Sequence, residues 1–113
     1  MDSKTKAARA AFCQEHEHRC FSCGGAGSDV HEMARGCHRS VAVRERCCWL
    51  LLCRPCHEEM DDYSIWPLTR QLALKLISDP IYFSPERFNE IRGRAPGAIT
   101  LSEVVVHLQM DYL

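Results

Sequence analysis

Two C-x-x-C pairs, Cys20 with Cys23 and Cys53 with Cys56, constrain this chain more than any other feature. Each pair places two thiolates on one tight turn, which is half of a tetrahedral zinc site. Eight cysteines could instead form the disulfide framework of a secreted protein. The opening stretch MDSKTKAARAAF lacks the apolar core of a signal peptide, so metal binding in a reducing, cytoplasmic setting is the expected use. One ion held by both pairs joins turns separated by 29 residues. A structural zinc contributes on the order of 10 kcal/mol of apparent folding free energy, a large addition to the modest core that 113 residues can bury. Cys13, Cys37, Cys47 and Cys48 lack paired spacing and are expected as small buried hydrophobes.

The elements around the cysteines follow from local signals. An alanine-rich helix is expected from Ser3, as cap, to Glu17. A glycine-containing turn runs from Arg19 to about Val30, and SVAVRER (Ser40 to Arg46) alternates like a short strand. CCWLLLC is a buried apolar run. Pro55 suits the first turn of a helix through CHEEMDDY. Beyond Tyr63 three helices are expected. The first follows Pro67, with Leu68, Leu72, Leu76 and Ile77 at helical spacing and the three leucines as its core stripe. The second is capped by Ser84 before Pro85 and ended by Gly93, and the third opens on a Thr100–Glu103 capping box. The expected fold is α+β and mostly helical: an N-terminal helix (1–18), a zinc-clipped ββα core (19–63) and a C-terminal helical extension (64–113) in one compact domain.

Net charge is −1, so composition alone does not advertise nucleic-acid binding. From Arg19 to Arg54, however, six arginines face only Asp29, Glu32 and Glu45, which makes the cysteine segment locally basic. No apolar run is long enough to span a membrane. HEMAR begins like the H-E-x-x-H metalloprotease motif, but Arg35 stands where the second His is required.

The arrangement CFSCGGAGSDVHEMARG…WLLLCRPCHEEM, from Cys20 to Met60, resembles the HNH family of His-metal finger endonucleases. The resemblance implies a zinc-clipped ββα unit with a second, divalent metal such as Mg2+ or Mn2+, and a His that activates water against a DNA phosphodiester. It also implies a bacterial cell, with a phage or mobile element as source. His57 matches the metal-binding His that follows the second C-x-x-C, and His31 with Glu32 occupies the place of the family's His pair. Cys48 stands where the family carries an Asn.

Two assignments remain open. Alignment makes His31 a ligand and Glu32 the base. Acid–base chemistry favours the reverse, because an imidazole with a pKa of about 6.5 accepts a proton from water better than a carboxylate near 4.3 (about, both). His57 is a ligand either way. Arg35 and Arg39, close behind the His-Glu pair, and Arg92 and Arg94, on a Gly/Pro loop, are candidate phosphate contacts. His38 is an outside candidate for a metal contact, and His16, His18 and His107 are expected as solvated or structural. The expected activity is therefore metal-dependent DNA cleavage. The alternative is a non-catalytic zinc module that binds DNA or a protein, and the C-terminal helices offer a homodimer or partner surface.

Overall fold

Asp2 starts the first helix. Its carboxylate accepts the Thr5 N–H at 2.6 Å, displacing Ser3 from the expected cap, and α1 spans Ser3–Glu15. The helix stops two residues short of Glu17 because Glu17 and His18 take left-handed conformations, with φ of 56° and 53°. The computed structural model describes residues 1–112. After α1 come β1 (Asp29–Glu32), α2 (Arg39–Ala42), β2 (Trp49–Leu52), α3 (Arg54–Met60), α4 (Leu68–Ser78), α5 (Pro85–Ile91) and α6 (Leu101–Tyr112). Six helices and one two-stranded antiparallel sheet among the described residues make the fold α+β.

The strand expected at SVAVRER is absent. Its first residues form α2, and the partner of β1 is the apolar run Trp49–Leu52, with Asp29 opposite Leu52 and His31 opposite Leu50. All four β2 residues are buried, so this pairing removes more apolar surface from water than alternating Val41 and Val43 would. The Trp49 indole N–H then fastens α2 by donating to the Ala42 carbonyl at 3.0 Å. Alternation along β1 sends neighbouring side chains to opposite faces. Asp29 and His31 meet His57 of α3, while Glu32 meets Arg9 of α1.

The C-terminal helices share the core of the cysteine segment. Trp49 and Leu50 of β2, Leu72 of α4, Phe88 of α5 and Val104 of α6 belong to one buried cluster. Of the expected α4 stripe, Leu72 is buried and Leu68 and Leu76 are partly buried, while Ile77 is 46% exposed. Lys75 takes a core position instead, donating to Asp79 at 2.7 Å and to the Trp49 carbonyl at 2.9 Å. The local caps form as expected. The Ser84 hydroxyl accepts the Arg87 N–H, Gly93 takes φ of 67°, and Thr100 and Glu103 exchange N–H bonds at 3.3 Å. Cys13, Cys47 and Cys48 are buried, whereas Cys37 is exposed on the turn before α2. No helix among the described residues is long and apolar enough to cross a membrane.

Candidate metal centres

The first centre is built on two turns. In the first, the Cys20 N–H donates to the Gly25 carbonyl and the Gly24 N–H to the Cys20 carbonyl, with Gly24 at φ of 77°. The second lies where β2 runs into α3, with Cys53 at the helix N-cap and Cys56 inside its first turns. The Phe21 N–H ties the two together by donating to the Leu51 carbonyl at 2.7 Å. Gly27 lies where they cross. A Cβ there would stand 3.0 Å from the Leu52 carbonyl carbon and 3.1 Å from the backbone nitrogens of Cys20 and Cys53.

The sulfurs of Cys20, Cys23, Cys53 and Cys56 all lie within 4.8 Å of one another, and Cys23 and Cys53 are 3.7 Å apart. A Zn–S bond of about 2.3 Å puts tetrahedral sulfurs roughly 3.8 Å apart, so the group could hold a zinc ion. Its electrostatics favour a cation. Burial opposes ionisation of Cys20, but N–H groups of Cys23, Cys53 and Ser22 outweigh it and bring that thiol down to about 7. Burial and the three neighbouring sulfurs push Cys56 up instead. Successive thiolates so close together require a positive partner.

The second centre begins one residue after Cys56. His31, His57 and Asp61 bring ligand atoms within 4.8 Å of one another, and the two imidazoles meet edge to face at 5.0 Å. His57 and Asp61 are four apart on α3 and its C-cap, hence on one face of the helix. The His57 Nδ1 lies 3.1 Å from a carboxylate oxygen of Asp29. A carboxylate only accepts, so Nδ1 carries a proton, and in a neutral ring the lone pair then lies on Nε2. Arg54 holds the same Asp29 oxygen at 3.1 Å. His31 is 2% exposed, and its Nε2 pairs with Gln71 at 2.9 Å. Burial holds this imidazole below its ordinary pKa against the pull of the Gln71 bond, and the His57 ring adds to the lowering. A neutral imidazole is the ligand form.

These groups floor a cleft of about 320 Å³, which is also lined by Glu32, Arg35 and Arg39. The structure thus brings His31 and His57 together as the sequence suggested, but Glu32 does not join them. Its carboxylate accepts from Arg9 at 3.0 Å, and Asp61 supplies the carboxylate of the group. The Arg35 guanidinium is engaged as well. It donates to the Asp61 carbonyl at 2.7 Å and to the Tyr63 hydroxyl at 2.9 Å, and Tyr63 in turn donates to the Met33 carbonyl at 2.8 Å. Arg39 lies exposed at the cleft, Arg92 sits half-buried over the Phe88 ring, and Arg94 is exposed. His38 joins neither centre; its Nε2 lies 3.4 Å from the Cys37 sulfur. Cys48 is buried and contributes its carbonyl to the Met33 N–H at 2.8 Å.

Sequence reasoning missed three residues of this site. Asp61 carried a signal, its i+4 spacing from His57, and so did Asp29, two residues before His31 on one strand face. Gln71 carried none. Compared with protein-family models, curated proteins and solved structures, the chain finds no match.

Proposed function

We propose that the protein is a metal-dependent DNA endonuclease of the HNH kind, built on a structural zinc. The observation that carries this reading is the convergence of His31, His57 and Asp61 on one cleft, next to a four-cysteine group that grips the start of α3 through Cys53 and Cys56. Zinc held by Cys20, Cys23, Cys53 and Cys56 fixes the start of α3 against the segment leading into β1. His31, His57 and Asp61 would hold a divalent ion such as Mg2+ or Mn2+, which would supply Lewis-acid stabilisation of charge on a phosphate and lower the pKa of bound water.

The residues divide the remaining work. His31, His57 and Asp61 hold the ion through two imidazole nitrogens and one carboxylate, a set with room for water and phosphate oxygens. Arg39 at the cleft meets a flanking phosphate, and Arg92 and Arg94 extend the contact along the backbone. Glu32 borders the cleft and is the base for the attacking water once its carboxylate leaves Arg9. His31 is withdrawn from the role of base because it is buried and grouped with the ligands. The water oxygen bonds to phosphorus as one of its protons passes to Glu32, and the P–O bond to the leaving sugar breaks with its electron pair on that oxygen, which takes a proton from solvent water.

The Arg9–Glu32 ion pair favours a second reading, a zinc module that binds DNA or a protein without cutting. A plasmid-nicking assay with added Mg2+ or Mn2+ separates the two. Cleavage by the wild type, with His31→Ala and His57→Ala inactive at unchanged zinc content, supports the nuclease. Plasmid retained on the protein but never nicked supports the module.

A further inference from the structure

We infer that Gln71, on the helical extension and outside the cysteine-clipped segment, is a positioning residue that fixes the His31 ring and leaves its Nδ1 as the atom offered to a metal. The inference rests on the reading of His31, His57 and Asp61 as a divalent-metal site. Gln71 is fully buried on α4. Its side-chain nitrogen lies 2.8 Å from the Trp66 carbonyl and 3.4 Å from the Met60 carbonyl. Both carbonyls only accept, so the NH2 must face them and Oε1 must face His31. The opposite amide orientation would set three acceptors together with no proton between them. Oε1 therefore accepts from His31 Nε2–H at 2.9 Å. A neutral imidazole protonated on Nε2 has its lone pair on Nδ1.

The same three bonds give Gln71 a mechanical role. Met60 is the last residue of α3, the helix that carries His57, and Asp61 is its cap. One amide thus links the strand bearing His31 to the end of the helix bearing the other two ligands. Asp29 orients His57 from the opposite side with a carboxylate. At His31, which is shut away from water, a neutral amide orients the ring without adding a second buried charge. Every polar atom of Gln71 is matched, and the matching admits only one His31 tautomer.

A long-range proton–nitrogen NMR spectrum of the 15N-labelled, zinc-loaded full chain tests this directly, with the His31 signals identified by their loss in His31→Ala. The expected result in wild type is a single tautomer with the proton on Nε2. A proton on Nδ1, or a mixture of tautomers, overturns the inference without any variant at Gln71. In Gln71→Met, with folding checked by zinc content and amide dispersion, the tautomers should mix and Mn2+ affinity should fall about 10–100-fold. A folded Gln71→Met with unchanged tautomer and Mn2+ affinity also overturns it. A wild type that takes up no Mn2+ beyond its zinc removes the nuclease reading instead, and the tautomer spectrum still decides what Gln71 does to His31.

Discussion

Among the described residues, Asp61 supplies the carboxylate whose ligand atom groups with those of the two cleft imidazoles, one helical turn beyond His57. Asp61→Asn keeps the side chain's size and removes its charge. Mn2+ binding, followed by the paramagnetic signal of the free ion, should weaken at least about tenfold, or about 1.4 kcal/mol. Zinc content should stay at the wild-type level, because the four sulfurs are untouched. Equal Mn2+ affinity in the variant would remove Asp61 from the site. Residue by residue, what was legible is what depends on spacing. The paired cysteines and His57 follow from C-x-x-C-H, whereas Glu32 was grouped with His31 because the strand that sends them to opposite faces was not read at Asp29–Glu32. Local sequence does not say which distant partner claims a side chain. Arg9, 23 residues away, takes Glu32, and Gln71, 40 residues away, takes His31.

Elements were legible where their ends are set by their own residues. The Thr100–Glu103 box and the Ser84 cap need nothing beyond one turn of chain, and both formed. Alternation at Ser40 to Arg46 does not make a strand because pairing is chosen in three dimensions, and β1 pairs with the fully buried Trp49–Leu52 instead. Packing between elements leads to two further expectations. Gly27→Ala forces a methyl group against backbone at 3.0–3.1 Å, where neither cysteine turn can yield without moving a sulfur. It should cost about 1–3 kcal/mol and loosen zinc, measured by urea denaturation and by competition with a chelator. Asp79 joins α4 to the turn at Arg46, accepting from Lys75 at 2.7 Å and from Arg46 at 3.1 Å. Burial opposes its ionisation, yet these two cations hold its carboxyl below the usual range. The stabilisation is therefore present above the unfolded pKa of about 3.9 and is lost as pH falls through the lower folded value. Asp79→Asn strands the buried Lys75 and should lose about 3–5 kcal/mol at neutral pH. Its urea midpoint should also fall less than the wild type's between pH 5 and pH 2 (about). A parallel decline in both proteins would refute the ion-pair account.

At the scale of the whole molecule, the four-cysteine clip and the helical extension enclose one shared core, so removal of a metal held there should not leave the helices standing. Cys53→Ser, or a strong chelator acting on the wild type, is expected to abolish cooperative thermal unfolding and much of the helical circular dichroism signal. A chelated protein that still melts sharply at the same temperature would mean that the cysteines do not hold the fold. The α+β class and the order of helices were legible because they sum many local signals. The place of the extension was not, because its burial against Trp49 and Leu50 exists only in three dimensions.

That placement sets a timetable for synthesis. Chains leave the ribosome amino-terminus first, at about 5–20 residues per second. His31 emerges before the second cysteine pair, and its anchor at Gln71 follows 40 residues behind it. A nascent chain can acquire its zinc clip while the His31 imidazole is still free to turn. The cleft is finished only when α4 docks, so its floor stays blunt through most of translation and sharpens in one late step, after the chain has been made through Ser78.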